Sequence, residues 1–315
     1  MTPDYACFFR RKIGVDSISA ELPFYDVFIS AYNSNERVTR VFGEVRAARK
    51  IWVIHPEYKL APLDFPKGFE CISPESLDEV RQVAEILNAV GDLQGKNVAI
   101  DITGFMRHVL VFLTVKLKQV GLAGFDALYS EPDRYTKQEQ TSFTTTTTGI
   151  VRPIRGMRGE NVPTANEYLL VGVGFDHRLI GEVANNKDNS TVYPIFAFPP
   201  LSPDMYQQSV MKVSESGDVA QRAEWTKNRR FAPANDPFST AAIVSELVRN
   251  IRRGGDANIY LSPLSTKAQV LGFALYWCYE VESSGAVSML LPECEIYSRE
   301  TSEGMKRLWC YSVEF

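Results

Sequence analysis

The chain has 315 residues, 45% of them hydrophobic and 23% charged, with a formal net charge of −4. That length favours two domains, and that composition excludes a disordered, fibrous or collagen-like protein. The mild acidic balance, present in both halves, argues against a duplex nucleic-acid binder, which needs broad phosphate neutralisation by Lys and Arg. It leaves open a small anionic ligand held by a few convergent groups.

In chain order, the first strong signal is the apolar run Tyr-Asp-Val-Phe-Ile-Ser-Ala at 25–31, whose central residues 26–30 predict a strand. The polar turn Tyr32-Asn33-Ser34-Asn35-Glu36-Arg37 follows and leads into a helix-compatible stretch. Residues 50–55 predict a second strand, apolar on both faces as expected when helices cover each side. Ser76-Leu77-Asp78-Glu79 reads as a helix start capped by Ser76. Leu77, Val80, Val83, Ala84, Leu87 and Val90 share one helical face, and Gly91 ends it. Residues 97–102 predict a strand, the turn Thr103-Gly104-Phe105-Met106-Arg107 opens an apolar helix, and 127–130 predicts a further strand before Pro132.

The stretch 136–163 then carries five consecutive threonines, Thr144 to Thr148, among several glycines and prolines. It reads as a linker, a functional loop or a hairpin arm, since threonine favours strands. Tyr135, with Arg134 and Lys137 beside it and Arg152, Arg155 and Arg158 further on, could stack a base while arginines hold phosphates. A solvated charged loop is the alternative.

The second half repeats the first. A strand at 168–172 leads through Gly172-Val173-Gly174-Phe175-Asp176-His177-Arg178 into a helix, and 191–196 predicts the next strand. Ser239 is placed as the cap of a helix with Ala242, Ile243, Leu247 and Ile251 facing inward. Residues 258–261 predict a strand whose turn holds Ser265-Thr266-Lys267 and opens another apolar helix. Strands at 286–291 and 309–313 close the chain. The alternation predicts an α/β fold with largely parallel sheets, internally duplicated and pseudo-twofold related. The expected division is 1–140, a linker or hairpin arm at 141–165, and 166–315 with an insertion around 199–234.

The turns after the paired strands carry the candidate chemistry. At the carboxyl end of a parallel strand, a following helix presents free backbone N–H groups, and small hydroxyl residues, glycine and a cation suit an anion. Thr103, Gly104 and Arg107 form one such set, and Ser265, Thr266 and Lys267 the other. Asn33, Arg37, Gly174 and Arg178 stand at the turns after the opening strands. Plain helix capping is the competing explanation for the hydroxyls, and ion pairing for Arg37 and Arg178. Gly172-x-Gly174 lacks the third glycine of a dinucleotide fingerprint, so no cofactor is expected. No nucleophile elbow or Walker loop is present. Asp101, His55 and His177 are the residues a catalytic reading would draw on.

Five widely spaced cysteines, an odd number without a Cys-x-x-Cys pair, predict buried thiols in a reducing compartment. With three histidines no metal site is expected. The N-terminus shows no secretion signal and no run is long enough to span a membrane, so the expectation is a soluble cytoplasmic protein.

A unit with a polar turn after its first strand and a Thr-Gly or Ser-Thr-Lys turn after a later one resembles the CARF domain, a Rossmann-like sensor of cyclic oligonucleotides in bacterial antiviral defence. Two such units in one chain resemble the related SAVED domain. The resemblance implies two Rossmann-like units and a ligand gripped between them by Thr103, Gly104 and Arg107 from one and Ser265, Thr266 and Lys267 from the other. Phe105 and Met106 stand where that pattern has small residues and a lysine. With no attached effector in the chain, it implies a sensor or accessory subunit acting through a partner protein. The alternatives are a hydrolase or ring-nuclease-like enzyme acting on a nucleotide, and an interaction protein with no small ligand.

Overall fold

The computed structural model describes residues 3–135, 144–281, 285–298 and 302–315. The chain forms two units, one of Cys7–Thr146 with Glu295–Phe315, the other of Met1–Ala6 with Thr147–Cys294.

In the first unit β1 (Arg10–Ile13) and the short α1 (Ile18–Glu21) precede β2 (Tyr25–Ala31), α2 (Glu36–Glu44) and β3 (Ala47–Val53). They continue through β4 (Glu70–Ile72), α3 (Glu79–Val90), β5 (Val98–Asp101), α4 (Arg107–Gln119), β6 (Gly124–Glu131) and β7 (Arg134–Tyr135). The second unit contains β8 (Thr144–Pro153), β9 (Glu167–Gly172), α5 (His177–Asn186), β10 (Thr191–Ala197), α6 (Met205–Ser214) and α7 (Glu224–Lys227). It goes on with β11 (Arg230–Ala232), α8 (Pro237–Arg253), β12 (Asn258–Pro263), α9 (Lys267–Glu280) and β13 (Val287–Tyr297). β14 (Ser302–Glu303) and β15 (Arg307–Glu314) follow; β14 pairs with β7, and β15 returns to the first sheet.

The first sheet runs β1-β15-β6-β5-β2-β3-β4 and the second β11-β10-β9-β12-β13-β8. Within each, the five strands linked by parallel pairing in the first sheet, and their counterparts in the second, stand in the order third-second-first-fourth-fifth by chain position. β2 and β9 therefore occupy the same place in their sheets, as do β5 and β12, which is the correspondence the internal repeat predicts. Both units are Rossmann-like. The extra length of the second lies between β10 and β11, where α6 and α7 stand in place of the 3-10 turns Pro56–Tyr58 and Pro62–Asp64.

Strands buried on both faces account for the uninterrupted apolar runs: Phe28, Ile29, Ala31, Ile51 and Val53 are all fully inaccessible. Phe42 of α2 stacks on Trp52 of β3 with centroids 3.6 Å apart, which ties the first crossover helix to the sheet.

Several expectations need correction. The strand predicted at 309–313 does not close the second half: β15 pairs antiparallel with β6 and with β1. A strand's pattern records which faces are buried but not which edge it joins. Within 141–165, expected as a linker or a hairpin arm, β8 forms an edge of the second sheet. Helix α3 is capped by Asp78, whose side chain accepts from the Val80 and Arg81 amides, while Ser76 accepts from the Asp78 amide. Its apolar stripe is rotated accordingly: Leu77 and Val80 are exposed, and Gln82, Val83, Ile86 and Val90 face inward. Asp236, followed by Pro237 at the first helical position, caps α8 in place of Ser239. Carboxylates outcompete the neighbouring hydroxyls because they also meet the positive end of the helix dipole. Gly91 does end α3, at a φ of +80° that suits glycine.

Candidate functional site

The chain leaves β2 toward β3 on one side and leaves β5 toward β6 on the other. Strand order reverses between β2 and β5, and in a parallel sheet such a switch point opens a crevice above the carboxyl ends of the strands. The two predicted turns of the first unit meet there. A Cβ on Gly104 would lie 2.1 Å from the Ala31 carbonyl oxygen, so the turn after β5 runs directly over the end of β2 and admits only glycine. Phe105 and Met106 are buried beneath it, Phe105 edge-on to His55 at 5.3 Å.

The polar residues of these turns divide by role. Asn33 accepts from the Asn35 amide at 3.1 Å and donates to the Tyr58 hydroxyl at 3.3 Å, and Tyr58 donates to the Gly104 carbonyl at 2.9 Å. Thr103 Oγ1 accepts from the Ser130 amide and lies 3.1 Å from the Ser130 hydroxyl. Asn33, Thr103 and Gly104 thus knit the crevice together.

Arg37 is different. It is the second residue of α2, only 7% exposed, and its Nη1 donates to the Ser130 carbonyl at the end of β6. Its Nε is buried with no partner among the described residues. Nearby, Asp101 accepts from the Thr103 amide at 3.0 Å and the Ser30 hydroxyl at 2.9 Å. Burial pushes the Asp101 carboxyl up, opposed by those hydrogen bonds and by the Arg37 charge. The helices flanking the crevice, α2 and α4, begin at Asn35 and Met106 without a side-chain cap. Their first-turn amides point toward the switch point, an arrangement suited to an anion. Arg107 stands half-buried at the start of α4.

A buried polar chain supports α4 from below. Glu57 Oε1 lies 3.1 Å from His108 Nε2 and accepts from the Gln82 amide at 3.1 Å. Gln82 also bonds His55 Nδ1 at 2.8 Å, and His55 Nε2 accepts from the Met106 amide at 3.4 Å. Burial alone would raise the Glu57 carboxyl, but the hydrogen bond and charge of His108 outweigh it and hold it below its ordinary range. The apolar stripe read from the sequence carried no signal for this chain, since it left Glu79 and Gln82 off the buried face and did not mark Glu57. All three are fully inaccessible.

The second unit has the same crevice between β9 and β12, with different chemistry. A Cβ on Gly174 would lie 2.1 Å from the Leu264 carbonyl oxygen, the counterpart of the Gly104 contact. Here both helices are capped: Asp176 accepts from the Leu179 amide at 3.4 Å and Thr266 from the Gln269 amide at 3.2 Å. Thr266 also donates to the Ala234 carbonyl. Ser265 is buried and Lys267 half-buried at the mouth of α9, whereas Arg178, at the position of Arg37, is exposed. An anion entering this crevice would meet the Asp176 carboxylate. The backbone of Tyr135 pairs with Ser302; its side chain, with Thr136 and Lys137, lies outside the described residues.

No family model matches the chain, and no curated protein matches it. Among solved structures it is similar to an N-terminal ketoreductase from a macrolactin assembly line, at a TM-score of 0.22 and 9% identity, over 89% of this chain and 72% of that one. So low a TM-score bears on neither ligand nor reaction. Among the described residues no helix is long and apolar enough to cross a membrane, and no group of three or more His, Cys, Asp or Glu side chains could hold a metal ion.

Proposed function

We propose that this chain is a nucleotide-binding protein in which the switch-point crevice of the first unit takes a phosphate of the ligand. The observation that carries this is the buried Nε of Arg37, unpartnered among the described residues, beside two helix N-termini whose N-cap side chains make no capping bond. A buried guanidinium nitrogen without an acceptor is costly, and a phosphate oxygen would satisfy it in the geometry arginine favours. The duplicated third-second-first-fourth-fifth order and the Thr103-Gly104 turn support the finer reading, a cyclic-oligonucleotide sensor or accessory subunit of an antiviral defence or signalling system. Such a subunit passes its signal to a partner protein.

A second reading is turnover of the ligand. His108 stands on the first turn of α4, partly accessible, with Glu57 orienting it from behind, the arrangement a general acid or base requires. One experiment separates the readings: titrate the pure protein calorimetrically with cyclic and linear nucleotides, then chromatograph each mixture. Binding without product supports the sensor, product the enzyme. No heat with any nucleotide defeats both and leaves an interaction protein.

A further inference from the structure

The second unit also holds a cleft of about 250 Å³ that is separate from its switch-point crevice. Tyr260 of β12 and Ser288 of β13, register partners in the sheet, form part of its lining, and Asn186 and Lys187 enter from the end of α5. Arg158 and Asn161 border it from the segment after β8. Lys187 follows the carboxyl end of α5, and Glu167, which bonds Tyr260, opens β9. The cleft therefore lies toward the amino ends of the strands, away from the turns described above.

Its charges are unbalanced. Lys187 Nζ sits 3.7 Å from the centroid of the Tyr260 ring. Burial pulls its amine down, with Glu167 acting in the opposite sense. Glu167 accepts from the Tyr260 hydroxyl at 3.2 Å and, among the described residues, forms no direct ion pair with Lys187. Burial, then the Glu167 charge, pushes that hydroxyl up to about 12, so it stays protonated and remains a donor. Among the described residues neither the half-buried Lys187 nor the exposed Arg158 forms an ion pair. A partly desolvated ammonium is ordinarily matched by a carboxylate, and the ring face under Lys187 replaces only part of that attraction. Two cations that form no ion pair among the described residues, set against the single nearby carboxylate of Glu167, and the side-chain amides of two asparagines thus border one concavity.

We propose that this cleft is a binding site for a small phosphate-bearing anion, from pyrophosphate up to a mononucleotide in size. The Arg158 fork supplies paired donors for one set of oxygens and Lys187 a point charge for another. Ser288 is already committed, its hydroxyl accepting from the Gly159 amide at 2.9 Å, and it fixes the segment that carries Arg158.

The test uses the full chain carrying Arg37→Gln, so that the first-unit crevice does not contribute. Pyrophosphate is titrated calorimetrically into this protein and into the same protein with Arg158→Gln and Lys187→Gln added. The expected result is saturable binding in the former and a loss of about a hundredfold in the latter, tenfold for each charged contact. Acylation of Lys187, followed by peptide mass spectrometry of the wild type, should slow when pyrophosphate is present; this readout does not depend on the variants folding. Absence of binding to the Arg37→Gln protein, equal affinity after both substitutions, or unprotected Lys187 would each overturn the proposal.

Discussion

Replacing Arg37 by Gln tests the central argument most directly. The substitution keeps much of the side-chain length but removes the charge, the Nη1 bond to the Ser130 carbonyl and the unpaired Nε. A hydrogen bond from a charged group contributes about 1.5–3 kcal/mol. If a phosphate accepts from this guanidinium, affinity for the best nucleotide should therefore fall roughly ten- to hundredfold. Stability should fall as well, by about 1–3 kcal/mol, because Asp101 loses its nearby positive charge and β6 loses a strap to α2. Calorimetric titration reads the first effect and thermal unfolding the second. Lys267→Ala, in the capped crevice of the other unit, serves as the control and should leave affinity within about twofold. The reasoning is refuted if Arg37→Gln melts earlier yet binds every nucleotide as the wild type does. Arg37 would then be only the counter-charge of Asp101 and a link between α2 and β6.

Further consequences follow from the same geometry. Gly104→Ala and Gly174→Ala each force a methyl to 2.1 Å from a backbone oxygen, so each should destabilise its unit by about 1–3 kcal/mol or more in a denaturant titration. A neutral result would mean that the strand-end turns do not cross so closely. Glu57 has a folded-state pKa below its ordinary value of 4.5, so its pairing with His108 stabilises the fold above that value. The contribution is lost as pH falls through the depressed value. Thermal melts from neutral pH down to pH 3 should show Glu57→Gln less stable than wild type at neutral pH, with the gap closing in acid. A gap that stays constant would show that the carboxylate charge plays no part.

The sequence by itself determined the class of fold and the position of most parallel strands. An apolar run such as residues 25–31 followed by a polar turn is a local signal, and its recurrence at 167–173 marked the duplication that the matched strand orders express. It also located the switch-point turns, because glycine and small hydroxyl residues cluster where backbones cross. It could not rank them. Arg37 and Arg178 hold the same position in helices of the same place, yet one is buried and the other exposed. That difference depends on the Ser130 carbonyl of β6, which is 93 residues away in the chain. Whether a helix start is open or capped turned on Asn35 against Asp176, both permitted caps in sequence, of which only the aspartate engages its helix through its side chain. The Glu57–Gln82–His55 chain draws on two segments and His108 adds a third, and the edge joined by β15 lies on the sheet of the first half. Burial, counter-charge and strand partnership are set by what covers a residue from elsewhere in the chain, so only the tertiary structure decided which of two similar turns buries its arginine and leaves its helix without an N-cap side-chain bond.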